Sequence, residues 1–165
     1  MKIILVMAVT VDGKIAQNQA HFPDWTSQED KEFFKEFSKK HKVVLMGENT
    51  FKTLKKPLLG RLNVVFSEKN LQDYENVLYV SGKVEEVVKD LEARGYKSAV
   101  LGGGAYLNSQ FLKAGLIDEI FLTIEPLVFG KGISLFIESF LLQLELIEFK
   151  KLNNSSVLLG YKVIK

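Results

Sequence analysis

Short, almost uninterrupted apolar runs separated by helical spacings constrain this chain more than any other feature. The runs are Ile3–Val9, Val43–Met46, Asn63–Phe66, Val77–Val80, Ser98–Leu101 and Ile120–Ile124. Continuous rather than alternating runs belong to strands covered on both faces. Helical patterns lie between them. Ser27 to Lys40 opens on a Ser27-x-x-Asp30 box, with Thr26-x-x-Glu29 as an alternative cap one residue earlier. Val84 to Arg94 stops at Gly95 and Ala105 to Ala114 stops at Gly115, glycines suited to the position just past a helix end. This alternation predicts an α/β fold with a mostly parallel sheet and helices on both faces. The last quarter differs: Leu144–Phe149 partly alternates, Asn153–Ser156 is a turn cluster, and Val157–Ile164 is apolar again. That pattern predicts a C-terminal antiparallel hairpin closing one edge of the sheet.

At 165 residues the chain has the length of a single domain, read here as residues 1–165. Its 22 basic residues against 20 acidic ones create no large net field to recruit nucleic acid or anionic lipid. The absence of cysteine removes disulfides, thiol nucleophiles and thiolate zinc sites together. Lys2 followed by Ile3–Val9 imitates a signal peptide, but no small-residue cleavage site follows and the run enters the Val11-Asp12-Gly13 turn. A first buried strand is the better reading. No stretch approaches the ~20 apolar residues of a membrane span, so the expectation is a soluble cytoplasmic protein. The apolar stretch from Ile133 to Leu146 suits either core or a dimer face, which leaves monomer and homodimer open. His21 and His41 are expected at the surface, with no metal site, and Lys39-Lys40-His41-Lys42 reads as a solvated helix end.

Four features carry candidate chemistry. Asp30, Phe33, Phe34 and Phe37 share one helix face, flanked by charged positions, so the carboxylate is aimed inward beside aromatic rings. Burial there would raise its pKa and let it hold a proton near neutral pH; the alternative is a plain helix cap. Gly102-Gly103-Gly104 lies directly between a strand and a helix, where backbone amides can approach a phosphate. A second such junction, Gly47-Glu48-Asn49-Thr50, could grip the other half of a dinucleotide. The glycine spacing is not the Rossmann one. Arg61 is one of only two arginines in a lysine-rich chain and suits bidentate recognition of a carboxylate, or it is a surface residue.

In order along nearly the whole chain, these motifs resemble the dihydrofolate reductase superfamily, which includes the reductase domain of riboflavin biosynthesis. The landmarks are Met7-Ala-Val-Thr-Val-Asp-Gly-Lys-Ile-Ala16, Trp25 with Asp30 and Phe34, Val44-Leu-Met-Gly-Glu-Asn-Thr50 and Pro57-Leu-Leu-Gly-Arg61. They continue through Asn63-Val-Val-Phe-Ser67, Leu101-Gly-Gly-Gly104, Leu116-Ile-Asp-Glu-Ile120 and Pro126 to Phe136. The resemblance implies an eight-stranded sheet and hydride transfer from a reduced nicotinamide to a pterin-like or pyrimidine-like ring. It implies Asp30 as the acid that binds the amino-pyrimidine edge, Thr123 as its support and Phe34 packing on the ring. Val6 and Leu101 would offer carbonyls to the pterin, and Arg61 would bind a carboxylate tail. Ala8 would meet the nicotinamide carboxamide. Lys14, Ile15, Gly47, Asn49, Thr50, Ser67, Gly102, Gly103 and Gly104 fall at cofactor positions.

Two departures matter. Glu48 and Glu68 stand where NADPH-using members place an arginine and a small polar residue. Acidic groups repel a 2′-phosphate and accept from a 2′-hydroxyl, so the NADPH preference is expected to weaken toward NADH. Asp12-Gly13-Lys14 and the Gly104-to-Phe111 spacing are more like the riboflavin-pathway reductases. Leu101 replaces the glutamate those enzymes carry before the glycines, and their deaminase zinc signature is absent. Asp30, Thr123 and Arg61 favour 7,8-dihydrofolate as substrate, ahead of a ribosylaminopyrimidinone 5′-phosphate. A nucleotide-binding protein without catalysis is the remaining alternative.

Overall fold

The chain alternates strands and helices as its apolar pattern predicts. A computed structural model describes residues 1–69 and 71–165. In chain order the first half holds β1 (Lys2–Thr10), β2 (Lys14–Ala16), a 3-10 turn (Pro23–Trp25), α1 (Gln28–His41), β3 (Val43–Gly47), α2 (Glu48–Thr53) and β4 (Leu62–Phe66). The second half holds β5 (Val77–Val80), α3 (Val84–Ala93), β6 (Ser98–Leu101), α4 (Ala105–Lys113), β7 (Ile117–Glu125), β8 (Ile133–Ser134), β9 (Gln143–Lys151) and β10 (Val157–Ile164). Eight strands form one sheet in the order β5-β4-β3-β6-β1-β7-β10-β9. The first six positions are parallel, β10 adds antiparallel to β7, and β9 adds antiparallel to β10.

Continuous apolar runs are explained by cover on both faces. Ile3, Leu5, Val43, Leu45 and Val64 point to the side packed by α3 and α4, where Leu91 and Phe111 are fully buried. Ile4, Val6, Val44, Met46 and Val65 point to the opposite side, against Phe51 of α2 and the Phe33, Phe34 and Phe37 stripe of α1. The helix ends follow their glycines: Gly95 and Gly115 take left-handed backbone at φ 93° and 65°.

Cover runs out at the hairpin edge. Every residue of β9 is exposed, and the Ile133–Leu146 stretch divides: Leu135 and Phe136 pack against the core, whereas Leu141 is 96% exposed. The imperfect alternation of Leu144–Phe149 is absorbed by a register shift opposite Gly160 and Tyr161, so two consecutive apolar residues, Leu146 and Ile147, do not reverse the strand's faces.

Both histidines depart from expectation, because aromatic and hydroxyl neighbours cover them. His41 stacks on Phe37 at 4.7 Å and its Nδ1 lies 2.7 Å from Ser98 Oγ. His21 Nδ1 accepts from the Gln17 N–H at 2.9 Å, and its ring packs on Phe129 at 5.4 Å. Both are half-buried. Among the described residues no helix is long and apolar enough to cross a membrane, and no cluster of metal-ligating side chains occurs.

Candidate active site

All parallel strands present their carboxyl ends to one rim, where open α/β sheets bind ligands. Strand lengths open a gap there. β1 pairs with β7 from Ile3 to Thr10, but with β6 only from Lys2 to Leu5. Past Leu5, the Val6–Ala8 backbone therefore loses its neighbour on the β6 side. A cleft of about 1900 Å³ opens there, with Val6, Ala8, Ile15, Phe34, Gly47 and Gly102 on its walls. That exceeds the roughly 300–1,000 Å³ of a site for one small molecule, and suits two ligands side by side.

Asp30 stands in this wall, 8% exposed. Ser27 is the N-cap of α1 and its Oγ accepts from the Asp30 N–H at 3.2 Å. The reciprocal arm of the capping box is missing, because the Ser27 N–H donates to Glu125 Oε1 at 2.7 Å. The Asp30 carboxyl is thereby left for the cleft rather than used as a cap. Burial pushes it above its ordinary value of 3.8, and the charge of Glu125 adds to the rise. The hydroxyls of Thr123 and Thr26, with Lys31, draw it partly back. Phe34 lines the same end.

Arg61 is held by a buried amide. Asn63 Nδ2 donates to the carbonyls of Leu58 and Arg61, and its Oδ1 accepts the Leu58 N–H, fixing the Pro57–Arg61 loop. The guanidinium reaches the cleft but is not a free surface group: Nη1 donates to Ser38 Oγ at 2.8 Å and Nε to the Leu59 carbonyl at 3.1 Å. Two of its donors are used inside the protein.

The two strand–glycine–helix junctions do not stand apart to grip separate halves of a ligand. Because β3 and β6 are neighbours, the Gly47 N–H donates to the Gly103 carbonyl at 2.8 Å and the Gly102 N–H to Leu45 at 2.9 Å. They form one continuous wall. α2 and α4 both start here from glycine N-caps that offer no side chain to their first amides, leaving those donors for a ligand. Gly103 adopts φ 92°, and a Cβ there would come within 3.0 Å of Met7. A Cβ on Gly104 would lie 3.4 Å from Thr50 Oγ1.

At the far end Glu48 accepts from Ser67 Oγ at 2.7 Å and pairs with Lys52. The hydrogen bond from Lys52 and then that from Ser67 hold its carboxyl below the ordinary range. Asn49, Thr50, Ser67 and Glu68 line this end. Four candidates stand behind the wall instead of on it. Leu101 and Thr123 are fully covered within the sheet, and Gly103 faces Met7. Lys14 directs Nζ to Ser134 Oγ at 3.0 Å, so Ser134 rather than Lys14 meets the cleft. Sequence reasoning missed Glu125, although its spacing from Thr123 puts the two on one face of β7.

The sequence model for dihydrofolate reductase matches residues 2–125. The chain belongs to the dihydrofolate reductase family. Membership makes it an NAD(P)H-dependent oxidoreductase of dihydrofolate reductase-like fold. Among relatives, YyaP, an uncharacterized protein of Bacillus subtilis, is 29% identical over 153 residues, covering 83% of this chain and 81% of its own. Dihydrofolate reductase of Ureaplasma parvum is 32% identical over 87 residues, 52% of this chain and 54% of that one. A solved structure described as a riboflavin biosynthesis protein of Shewanella sp. PV-4 superposes with a TM-score of 0.81 at 26% identity, covering 100% of both chains. Dihydrofolate reductase of Enterococcus faecalis gives 0.72 at 20% identity, covering 99% of this chain and 97% of that one, a likeness of fold. Proteins similar to this chain thus include both dihydrofolate reductases and a structure named for riboflavin biosynthesis.

Proposed function

We propose that this protein reduces a pterin, with 7,8-dihydrofolate as substrate and tetrahydrofolate as product, using a reduced nicotinamide dinucleotide. The observation that carries the reading is Asp30, a buried carboxyl with a raised pKa, left out of the helix cap and facing a cleft beside Phe34. The residues present fit the cofactor. The open edge of β1 at Ala8 suits a carboxamide, and the uncapped starts of α2 and α4, with Gly102 to Gly104, suit a pyrophosphate. Asn49, Thr50 and Ser67 would hold the adenosine half, and Ile15 of β2, backed by Lys14, would lie along the cofactor. When bound, the reduced nicotinamide supplies the hydride.

The protein's own part is proton placement. An imine accepts hydride readily only when its nitrogen is protonated, since charge otherwise builds there. Asp30 would bind the amino-pyrimidine edge and favour that protonated state, with Thr123 orienting it from behind. Val6 would present its carbonyl to the same edge, whereas Leu101 is covered within the sheet. Arg61 would bind the substrate's carboxylate tail with the donors it has left. Because Glu48 and Glu68 border the adenosine end, the preference for NADPH weakens and NADH serves as well.

One observation favours a second reading, a ribosylaminopyrimidinone 5′-phosphate of the riboflavin pathway. Arg61 spends donors on Ser38 and Leu59, while Ser134, which accepts from Lys14 Nζ, meets the cleft. Steady-state oxidation of NADPH and NADH on addition of 7,8-dihydrofolate separates the two. Saturable turnover is the expected result; cofactor binding without turnover moves the assignment to the pyrimidinone phosphate. In the first case Arg61→Lys should raise KM for dihydrofolate about tenfold with kcat unchanged. An unchanged KM removes Arg61 from substrate recognition.

A further inference from the structure

Glu125 is the most deeply buried carboxylate among the described residues, at 2% exposure, and no basic side chain pairs with it there. A buried charge without a counter-ion is costly unless hydrogen bonds replace its hydration. Three donors do so. Oε1 accepts both the Ser27 N–H and Ser27 Oγ–H at 2.7 Å, and Oε2 accepts Ser156 Oγ–H at 2.5 Å. All three hydrogen bonds meet the two carboxyl oxygens, so the fold supplies this acid with partners in place of water.

The arrangement leads to Asp30. Ser27 Oγ, which donates to Glu125, also accepts the Asp30 N–H, so one hydroxyl joins strand β7 to the first turn of α1. Ser156, in the turn between β9 and β10, closes the set from the other side. The charged groups acting on Asp30 are Glu125 on β7 and Lys31 on its own helix, with opposite signs; Thr26 and Thr123 are neutral. Lys31 is exposed and screened by water, whereas Glu125 acts through the protein interior. A neutral glutamine could make comparable hydrogen bonds to the cap, so position alone does not call for an acid here.

We propose that Glu125 is a positioning residue for Asp30: through Ser27 it fixes the cap from which α1 starts, and it sets a second buried carboxyl in the same water-poor region. This rests on the role given to Asp30 above. Ionisation of both carboxyls would place two anions in that region, so the proton on Asp30 stays until a higher pH than burial alone would set. The pair is an unequal one. Glu125 has its donors supplied by the fold, and Asp30 faces the ligand.

The test is Glu125→Gln, read first without any substrate, by carbon-detected NMR titration of the Asp30 carboxyl in the folded protein. The expected result is a lower midpoint than in the wild type, with nicotinamide dinucleotide binding unchanged. In turnover, the pH limb assigned to Asp30 should move to lower pH by the same amount. Ser156→Ala removes one hydrogen bond but keeps the carboxyl. It should lower stability and leave the Asp30 midpoint within a few tenths of a pH unit. Coincident midpoints in wild type and Glu125→Gln overturn the proposal, as does a Ser156→Ala variant that shifts the midpoint equally. If Asp30→Asn turns over normally, the reading of the active site fails instead, and the NMR midpoints still decide whether the two carboxyls are coupled.

Discussion

Asp30 and Glu48 are carboxyls in the first turns of two helices, at opposite ends of one cleft, and the fold drives them in opposite directions. Asp30 is 8% exposed, faces another buried acid and is pushed up. The Glu48 side chain is 32% exposed, is met by Lys52 and Ser67, and is pushed down. Helix position does not distinguish them, since both sit where a helix start favours negative charge. What distinguishes them is what lies behind each: a water-poor sheet face for Asp30, and a lysine one turn along for Glu48. One carboxyl is adapted to keep a proton and the other to remain an anion, so one end suits proton-coupled chemistry and the other suits recognition.

The strongest way to break this comparison is Asp30→Asn. Loss of a group that places a proton in the transition state costs about 10²–10⁴-fold in turnover, while dinucleotide binding, read by fluorescence titration, should be unchanged. Stability should move the other way. Because the folded value is raised, the contribution of Asp30 is fully present below its unfolded value of 3.8 and is lost as pH rises through the folded value. Above that folded value the wild type carries an ionised buried group that the variant lacks. The variant should therefore melt higher at pH 8, with the advantage shrinking toward pH 4. Equal melting temperatures at both pH values would show that the Asp30 site is solvated like that of Glu48.

Between the two ends stands the glycine wall, and its effect should be next in size. Gly103→Ala forces a side chain into left-handed backbone and to within 3.0 Å of Met7. The expected cost is about 1–3 kcal/mol in denaturant titration, accompanied by weaker dinucleotide binding. Gly95→Ala is the control: its φ of 93° is as unfavourable, but nothing lies within 4 Å of the added carbon. It should cost about 1 kcal/mol and leave binding intact. If both variants behave alike, the wall is not a ligand surface.

The two ends were also unequally legible in the sequence. Apolar runs located β1, β3 to β7 and β10; the signal is cleanest in β1, β3 and β4, where cover on both faces leaves few polar positions to obscure it. The Asp30–Phe34 face could be read because helical periodicity fixes which residues share a side. Contacts made between elements had no such signal. Ser27 matched a capping box on paper, yet its N–H goes to Glu125, 98 positions away. Lys14 and Ser134 meet only because β2 and β8 pair. The junctions at Gly47 and Gly103 looked like two separate grips until the β3-β6 neighbour relation joined them. Local periodicity gives the face of an element, while sheet order decides what that face meets.

The smallest expected effect belongs to Glu48→Gln, and it sharpens the comparison from the exposed end. Glutamine keeps an acceptor for Ser67 and removes a charge at the end of the cleft proposed for the adenosine half. Removing one anion from beside a 2′-phosphate should raise the ratio of kcat/KM for NADPH over NADH by about three- to tenfold, tenfold being about 1.4 kcal/mol. The screening of an exposed site keeps the change near the lower figure at physiological salt and nearer the upper one at low salt. The depressed folded value of Glu48 means that its contribution to stability is present above the unfolded value of 4.5 and lost as pH falls through the folded one. The variant should therefore match the wild type in stability at acid pH and fall slightly below it at neutral pH, the reverse of Asp30→Asn. A cofactor ratio that stays fixed in the variant would mean that Lys52 already cancels the charge of Glu48, leaving Glu68 as the acidic group that sets the preference.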